Sequence, residues 1–390
     1  MLHRSRALAL KGAACAAAAL AVAGCAKTSS SSSSSATITG GTLTVYVSEP
    51  PQIAGDNVAQ DVVDAEKLAY SQLKGEVKDY SVKLDVVGGK QQVSYNAREA
   101  IQNATTIAYL GEIYPGASDQ TVGITNALDI LQVSPTDTAL ELGQSTPAVA
   151  GAPDNYFESW SSYGRTFARL VPTSAQEAAA QVAEMKSLGV KGLFISDDGS
   201  DYGRAIAYAV RKDASGAGVT IQARLAGAGA VFYGAQSPTQ AAKFFGGVSA
   251  VDPTAKLFGP SSLNNSEFTE ALKTDRNLYV TIPGVMPGQL NAQGKAFDQA
   301  FDSTYGHEPS GEAIFGYAAM SALLNVLKQA GTNADSRSKV VKDFLKLSES
   351  QSVLGSYNID SSGNTSFDSF VIARLSNGTL VPFKAAPNQG

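Results

Sequence analysis

The sequence predicts an α/β fold of two doubly wound parallel-sheet lobes, on three observations. The chain has 390 residues, more than one ordinary hydrophobic core holds. Short β-branched runs alternate with helical patterns from residue 42 onward. The alternation pauses near residue 133 and restarts near 174, so it reads as two βαβ units in series.

In the first unit, Thr42 to Val47 reads as a buried strand. Asp56 is placed to cap a helix with Val58, Val62, Ala65, Ala69 and Leu73 on one side. Ser81 to Val87 is the next strand, Ser94 to Asn103 a helix and Thr106 to Leu110 a strand. A helix over Ser118 to Leu128 and a strand over Ile130 to Val133 continue the pattern.

The second unit opens on Ser174-Ala175-Gln176-Glu177, read as a capping box for a helix running to Leu188, with Gly189 as its stop. Strands are expected at Lys191 to Ser196, Val219 to Gln222, Ala230 to Tyr233 and Lys256 to Phe258. Helices from Asp201 to about Lys212 and from Pro238 to Phe245 fall between them. Helical patterns then cover Asn291 to Tyr305, Pro309 to Ala330 and Arg337 to Leu347. Strands at Val353 to Tyr357, Ser369 to Leu375 and Thr379 to Phe383 close the chain, the last two joined by a turn at Ser376-Asn377-Gly378. Ligands of doubly wound sheets sit beyond the carboxyl ends of the strands, so a cleft between two such units is the expected small-molecule site.

Composition narrows the chemistry. Hydrophobic residues make up 44% and charged residues 17%, as in globular proteins, and the net charge of -5 offers no field for nucleic acid. Residues 1–24 read as a signal peptide: His3, Arg4, Arg6 and Lys11 precede a short apolar run ending in Val22-Ala23-Gly24-Cys25. Those small residues before Cys25 resemble the lipobox of bacterial lipoproteins, which implies acylation of Cys25; the alternative is an ordinary signal peptide beside a stray cysteine. Residues 25–40, with the serine tract Ser29 to Ser35, read as a flexible lipid-anchored tether. Removing the leader takes three cations and no acid, and it also takes Cys15 and His3. His307 is then the only histidine, and Cys25 the only cysteine. A Cys/His zinc site and a cysteine nucleophile are excluded, and a Ser-His-Asp triad would have to use a histidine that reads as a solvated loop residue. No G-x-S-x-G elbow or Walker A loop is present, so we expect no enzyme, no metal and no cofactor.

Several loops at the expected strand ends carry a resemblance. Gly111-Glu112-Ile113-Tyr114-Pro115-Gly116-Ala117-Ser118 resembles the glycine-led loop after the third strand of the type I periplasmic binding proteins, in particular the branched-chain amino-acid (leucine-binding-protein-like) receptors of ABC importers. Val133-Ser134-Pro135-Thr136-Asp137-Thr138 resembles their Ser-Pro-x-x-Thr loop, and Phe167 to Thr173 the crossover into the second lobe. Asp198-Gly199-Ser200-Asp201-Tyr202-Gly203 resembles their acidic D-Y-G turn. Phe232-Tyr233-Gly234 and Phe258-Gly259-Pro260 match two further cleft loops. Phe301 to Pro309 matches a helix ending in Tyr-Gly before a proline, and Leu354 to Gly363 the terminal hairpin.

The resemblance implies a fold in which two lobes are joined by a three-strand hinge, crossed near residues 166, 284 and 353. Lobe 1 would hold 41–166 and 285–352, and lobe 2 would hold 167–284 and 353–390. It implies an extracytoplasmic solute-binding lipoprotein on the bacterial cell membrane, closing on a small molecule and recognised by an ABC permease. A sensory module of the same fold is the alternative. In the amino-acid receptors a serine and a threonine grip the ligand carboxylate, and an acid and a tyrosine hold its ammonium. The serine position falls on Pro115, the threonine loop on Thr136 and Thr138, the tyrosine on Gln236 and the acid on Ser261. The expected ligand contacts are therefore Thr138, Thr136, Ser118, Tyr202, Gln236, Ser261 and Asp137. Thr138 and Ser118 fit a helix N-cap equally well, and Tyr202 fits packing at its helix start. Trp160 and Tyr163 fit either ligand stacking or a structural role. With serine at the acid position, Asp137, Glu112 or Asp201 would have to replace the charge. A neutral amide, an aromatic acid or another small carboxylate fits such a pocket as well as an amino acid does.

Overall fold

The computed structural model describes residues 37–73, 77–89, 92–272 and 277–387. Cys25 and the serine tract lie outside the described residues.

The first β-branched runs form a five-stranded sheet from β1 (Thr42–Glu49), β2 (Ser81–Gly88), β3 (Thr106–Leu110), β4 (Leu131–Ser134) and β5 (Phe167–Arg169), in the order β2-β1-β3-β4-β5. Every pairing is parallel. β3 and β4 are buried along their whole length, which explains why they read as unbroken runs and not as alternation. Helix Val58–Leu73 covers one face and packs on Ala313–Ala330. The two helices approach closely because Gly316 faces the Val62 carbonyl, where a Cβ would collide. Asp56 caps the first helix as expected, accepting the Val58 N–H at 2.8 Å.

The second sheet contains β6 (Gly192–Asp197), β7 (Thr220–Gln222), β8 (Gly229–Gly234), β9 (Lys256–Gly259) and β10 (Leu278–Pro283). A two-stranded ladder of β11 (Ser348–Glu349) and β12 (Tyr357–Asn358) stands apart from it. β13 (Phe370–Ser376) and β14 (Thr379–Ala385) complete it, in the order β14-β13-β10-β9-β8-β6-β7. β6 to β10 run parallel, while β13 and β14 add antiparallel at one edge. The parallel parts of both sheets share one winding: the first strand sits between the second and the third. In such a sheet the switch point lies between the first and third strands, and ligands collect at the carboxyl ends there.

Several expectations are corrected. The helix over 118–128 is a 3₁₀ turn, Ala117–Gln120, followed by a short helix, Val122–Asn126. The capping box stands one residue earlier than read: Thr173 is the N-cap and Gln176 its reciprocal partner. Helix Pro238–Val251 outruns its expected end by almost two turns, whereas Ala313–Ala330 starts one turn late. The strand expected at 353–357 is confined to β12. β5 and β10 have no counterpart among the expected strands; β5 is three residues long, too short for periodicity to register.

Two segments near the expected crossings have partners in the first layer. Phe167–Arg169 pairs with β4 in the first sheet. Val353, Tyr357 and Ile359 lie in the core that covers the first sheet, with Phe367 packed against it. The chain therefore first enters the second sheet's layer after Arg169 and last returns to it between Phe367 and Phe370.

Candidate functional site

The carboxyl ends of both sheets carry loops held by buried acids. In the first sheet, Asp137 follows β4 and is fully buried. Its Oδ1 accepts the Gly116 N–H at 2.6 Å and the Ala139 N–H at 3.0 Å, and its Oδ2 accepts the Ser118 N–H at 2.9 Å. Thr136 donates to the Ile113 carbonyl at 2.5 Å, and Ser118 Oγ accepts the Glu112 N–H at 3.1 Å. These contacts weld the loop after β3 to the loop after β4, satisfying backbone groups that have no ladder partner.

In the second sheet, Asp198 plays the same part after β6. Its Oδ2 accepts the Gln236 and Ser237 N–H groups at 2.8 and 2.9 Å, and its Oδ1 accepts from Ser200. Ser200 in turn caps helix Asp201–Gly216 by accepting the Gly203 N–H at 2.9 Å. Asp198 is only half-buried, however.

A third acid, Glu177, comes from helix Ser174–Ser187. Its Oε1 accepts from the Ser261 N–H and from Thr281 Oγ1, each at 2.5 Å. Its Oε2 accepts from Ser261 Oγ at 3.1 Å and Tyr202 OH at 3.5 Å. One turn later Gln181 donates to the Gly259 carbonyl at 2.6 Å and Thr281 Oγ1 at 2.9 Å. One helical face thus fixes the ends of β9 and β10.

The two sets of loops meet. Thr138 Oγ1 donates to Tyr202 OH at 3.4 Å and stands 3.5 Å from Ser261 Oγ. Gly116 packs so closely on Gln236 and Tyr202 that a Cβ there would lie 2.8 Å from Gln236 Nε2. Tyr156 donates to Asp201 at 2.5 Å, Ser266 to the Ala54 carbonyl at 2.9 Å, and Asn264 to Glu312 at 3.4 Å.

Burial raises the pKa of the acids around this seam. Desolvation pushes Glu112 up to about 7, although hydrogen bonds from Tyr109 and Ser48 oppose it. Glu177 reaches about 7 for the same reason, opposed by Thr281 and Ser261. Glu141 and Glu312 reach about 8, again chiefly by desolvation. Arg169 is fully buried with its guanidinium over Phe167; Nη1 donates to the Asp137 carbonyl at 3.0 Å. Desolvation brings its pKa down to about 10.

Of the seven residues read from the sequence as ligand contacts, three converge at the seam: Thr138, Tyr202 and Ser261. Gln236 lies beside them, half-buried against Gly116. Thr136, Ser118 and Asp137 direct their polar atoms into the first-lobe loops themselves. Asp201 is engaged with Tyr156, and Glu112 with Ser48 and Tyr109 at 2.8 and 2.6 Å. Trp160 packs against Phe157 at 5.1 Å with the Arg165 guanidinium above it. His307 is exposed, with its ring edge-on to Phe301. Glu177 and Asp198 were missed as site residues. Glu177 reads as a first-turn helix acid, and nothing in its own segment shows that Ser261 and Thr281 fold onto it.

The fold is that of the type I periplasmic binding proteins. The chain is similar in structure to a leucine-binding protein from Thermotoga maritima, with a TM-score of 0.71, 19% identity, and coverage of 88% of this chain and 98% of that one. It is similar to a branched-chain amino-acid transporter substrate-binding protein from Streptococcus pneumoniae in complex with isoleucine, with a TM-score of 0.65, 15% identity, and coverage of 88% and 99%. A solute-binding protein of an ABC transporter from R. palustris, in complex with benzoate, matches with a TM-score of 0.65, 18% identity, and coverage of 89% and 96%. No family model and no curated protein matches the sequence.

Proposed function

We propose that the protein is an extracytoplasmic solute-binding protein, not an enzyme, whose two lobes close on a small molecule for delivery to an ABC importer. The observation that carries this reading is the seam itself. Thr138, from the carboxyl end of the first sheet, meets Tyr202 and Ser261, from the carboxyl end of the second. A ligand seated there touches both lobes only when they are closed, so its binding energy drives closure. We take the lobes as 41–170 with 285–367, and 171–284 with 368–387. The solved structures of the same fold hold leucine, isoleucine, benzoate or hydroxybenzoate. An amino acid or a related small carboxylate or amide is the corresponding ligand class here.

The test is a thermal-shift screen of the purified protein against amino acids, small amides and aromatic carboxylates. A ligand at 100 times its dissociation constant stabilises the native state by about 2.7 kcal/mol, a visible rise in midpoint. Turnover of the stabilising compound by pure protein would overturn the reading. Anchoring through Cys25 is part of the same proposal. Cells expressing the protein should incorporate radiolabelled palmitate into it, and Cys25→Ser should abolish that label; persistence of label in the variant would refute the anchor.

A further inference from the structure

The seam has a polarity that its hydroxyl groups alone do not reveal. A hydroxyl has one proton, and where that proton goes decides what the group offers a ligand. Thr281 accepts from Gln181 and donates its proton to Glu177. Ser261 gives both its N–H and its O–H to the same carboxylate. Tyr202 gives it the phenol proton. The outward faces of Tyr202 and Ser261 are therefore lone pairs. The first lobe already obeys this pattern, because Thr138 approaches Tyr202 as a donor.

The charge behind the hydroxyls is also unanswered. Among the described residues, no lysine, arginine or histidine forms an ion pair with Glu177. The further acid whose charge reaches it is Glu312, at the head of helix Ala313–Ala330 across the seam. A fully buried carboxylate held only by neutral donors is costly, and a cation within a few ångströms offsets that cost.

We propose that Glu177 is the specificity-determining residue of the seam: through Tyr202 and Ser261 it makes the cleft accept a protonated amine and reject a bare carboxylate at that point. This rests on the receptor reading and deepens it. The sequence places no acid after β9, where Ser261 stands. Glu177 supplies the negative charge from a different element, one hydroxyl away. The ligand amine takes the place of the Thr138 hydroxyl as donor, and no proton is transferred to Glu177 in the bound state.

The test compares matched probes on the full chain by calorimetry: each proteinogenic amino acid, its des-amino acid and its decarboxylated amine. The expected result is that an amino acid binds at least about tenfold more tightly than its des-amino partner. Glu177→Gln, which keeps shape and hydrogen-bonding capacity, should abolish that difference. Tyr202→Phe removes one outward oxygen by an independent route and should shrink it. Wild-type protein provides a check that needs no variant. Protonated Glu177 donates instead of accepting, so amine affinity should fall about tenfold from pH 8 to pH 6 while des-amino affinity does not. Des-amino acids binding as tightly as amino acids would overturn the assignment of Glu177 and leave the receptor reading standing. An amine preference that survives in Glu177→Gln and shows no pH dependence would overturn it equally. Failure of every probe to bind would overturn the assignment of Glu177, and absence of any stabilising compound in the thermal-shift screen would overturn the receptor reading too.

Discussion

The two lobes build the same device from different materials. In each, one aspartate gathers the backbone amides of neighbouring loops at the strand ends: Asp137 in the first lobe, Asp198 in the second. Asp137 is fully buried and Asp198 half-exposed. The buried hub makes the first-lobe loops a dry, preformed wall whose polar atoms face inward. The second-lobe loops have a half-buried hub, and the oxygens of Tyr202 and Ser261 meet Thr138 with Glu177 behind them. On the proposed receptor reading, the second lobe would supply most of the recognition chemistry, and the first lobe shape and the Thr138 hydroxyl.

This contrast can be broken by titration, which carries the largest expected effect. Glu112, Glu141, Glu177 and Glu312 hold their protons up to about pH 7 to 8 in the folded protein, against 4.5 for an ordinary glutamate. Between about 4.5 and 8 the native state therefore binds more protons than the unfolded chain. Stability should be greatest at the acid end of that window and fall steeply as pH rises through it. Urea denaturation at pH 5 and pH 8 measures this, and Glu112→Gln should flatten the slope. Equal stability at both pH values would mean that the buried wall is not dry. Next in size is the aspartate pair itself. Asp137→Ala strands three buried amides and should cost about 3 kcal/mol, whereas Asp198→Ala lets water in and should cost about 1 kcal/mol. Matching losses in chemical denaturation would erase the distinction between the hubs.

The contrast also shows how far a loop motif reaches. Thr136, Asp137 and Ser118 stand at the carboxyl ends of β3 and β4, in the loops that resemble ligand-binding loops. Their hydrogen bonds nevertheless close on Ile113, Gly116, Ala139 and Glu112. A loop motif conveys position and not orientation. Ser261 stands where the resemblance implies an acid, and the Glu177 carboxylate lies directly behind it on a helix 84 residues earlier.

What the sequence determined by itself was local. Runs such as Thr42 to Val47 and Thr106 to Leu110 bury both faces and can only be interior strands. The restart near Thr173 announces a second sheet, because a capped helix after a break begins a new βαβ unit. Tertiary structure alone decided which groups meet. It brought Phe167–Arg169 into the first sheet as an edge strand, kept Val353 and Tyr357 in the first core, and folded Ser261 and Thr281 onto Glu177. The reason is physical. Periodicity records whether a face is buried, which each segment carries in its own residues. The partner of a buried carboxylate is set by the packing of segments far apart in the chain, and no single segment encodes it.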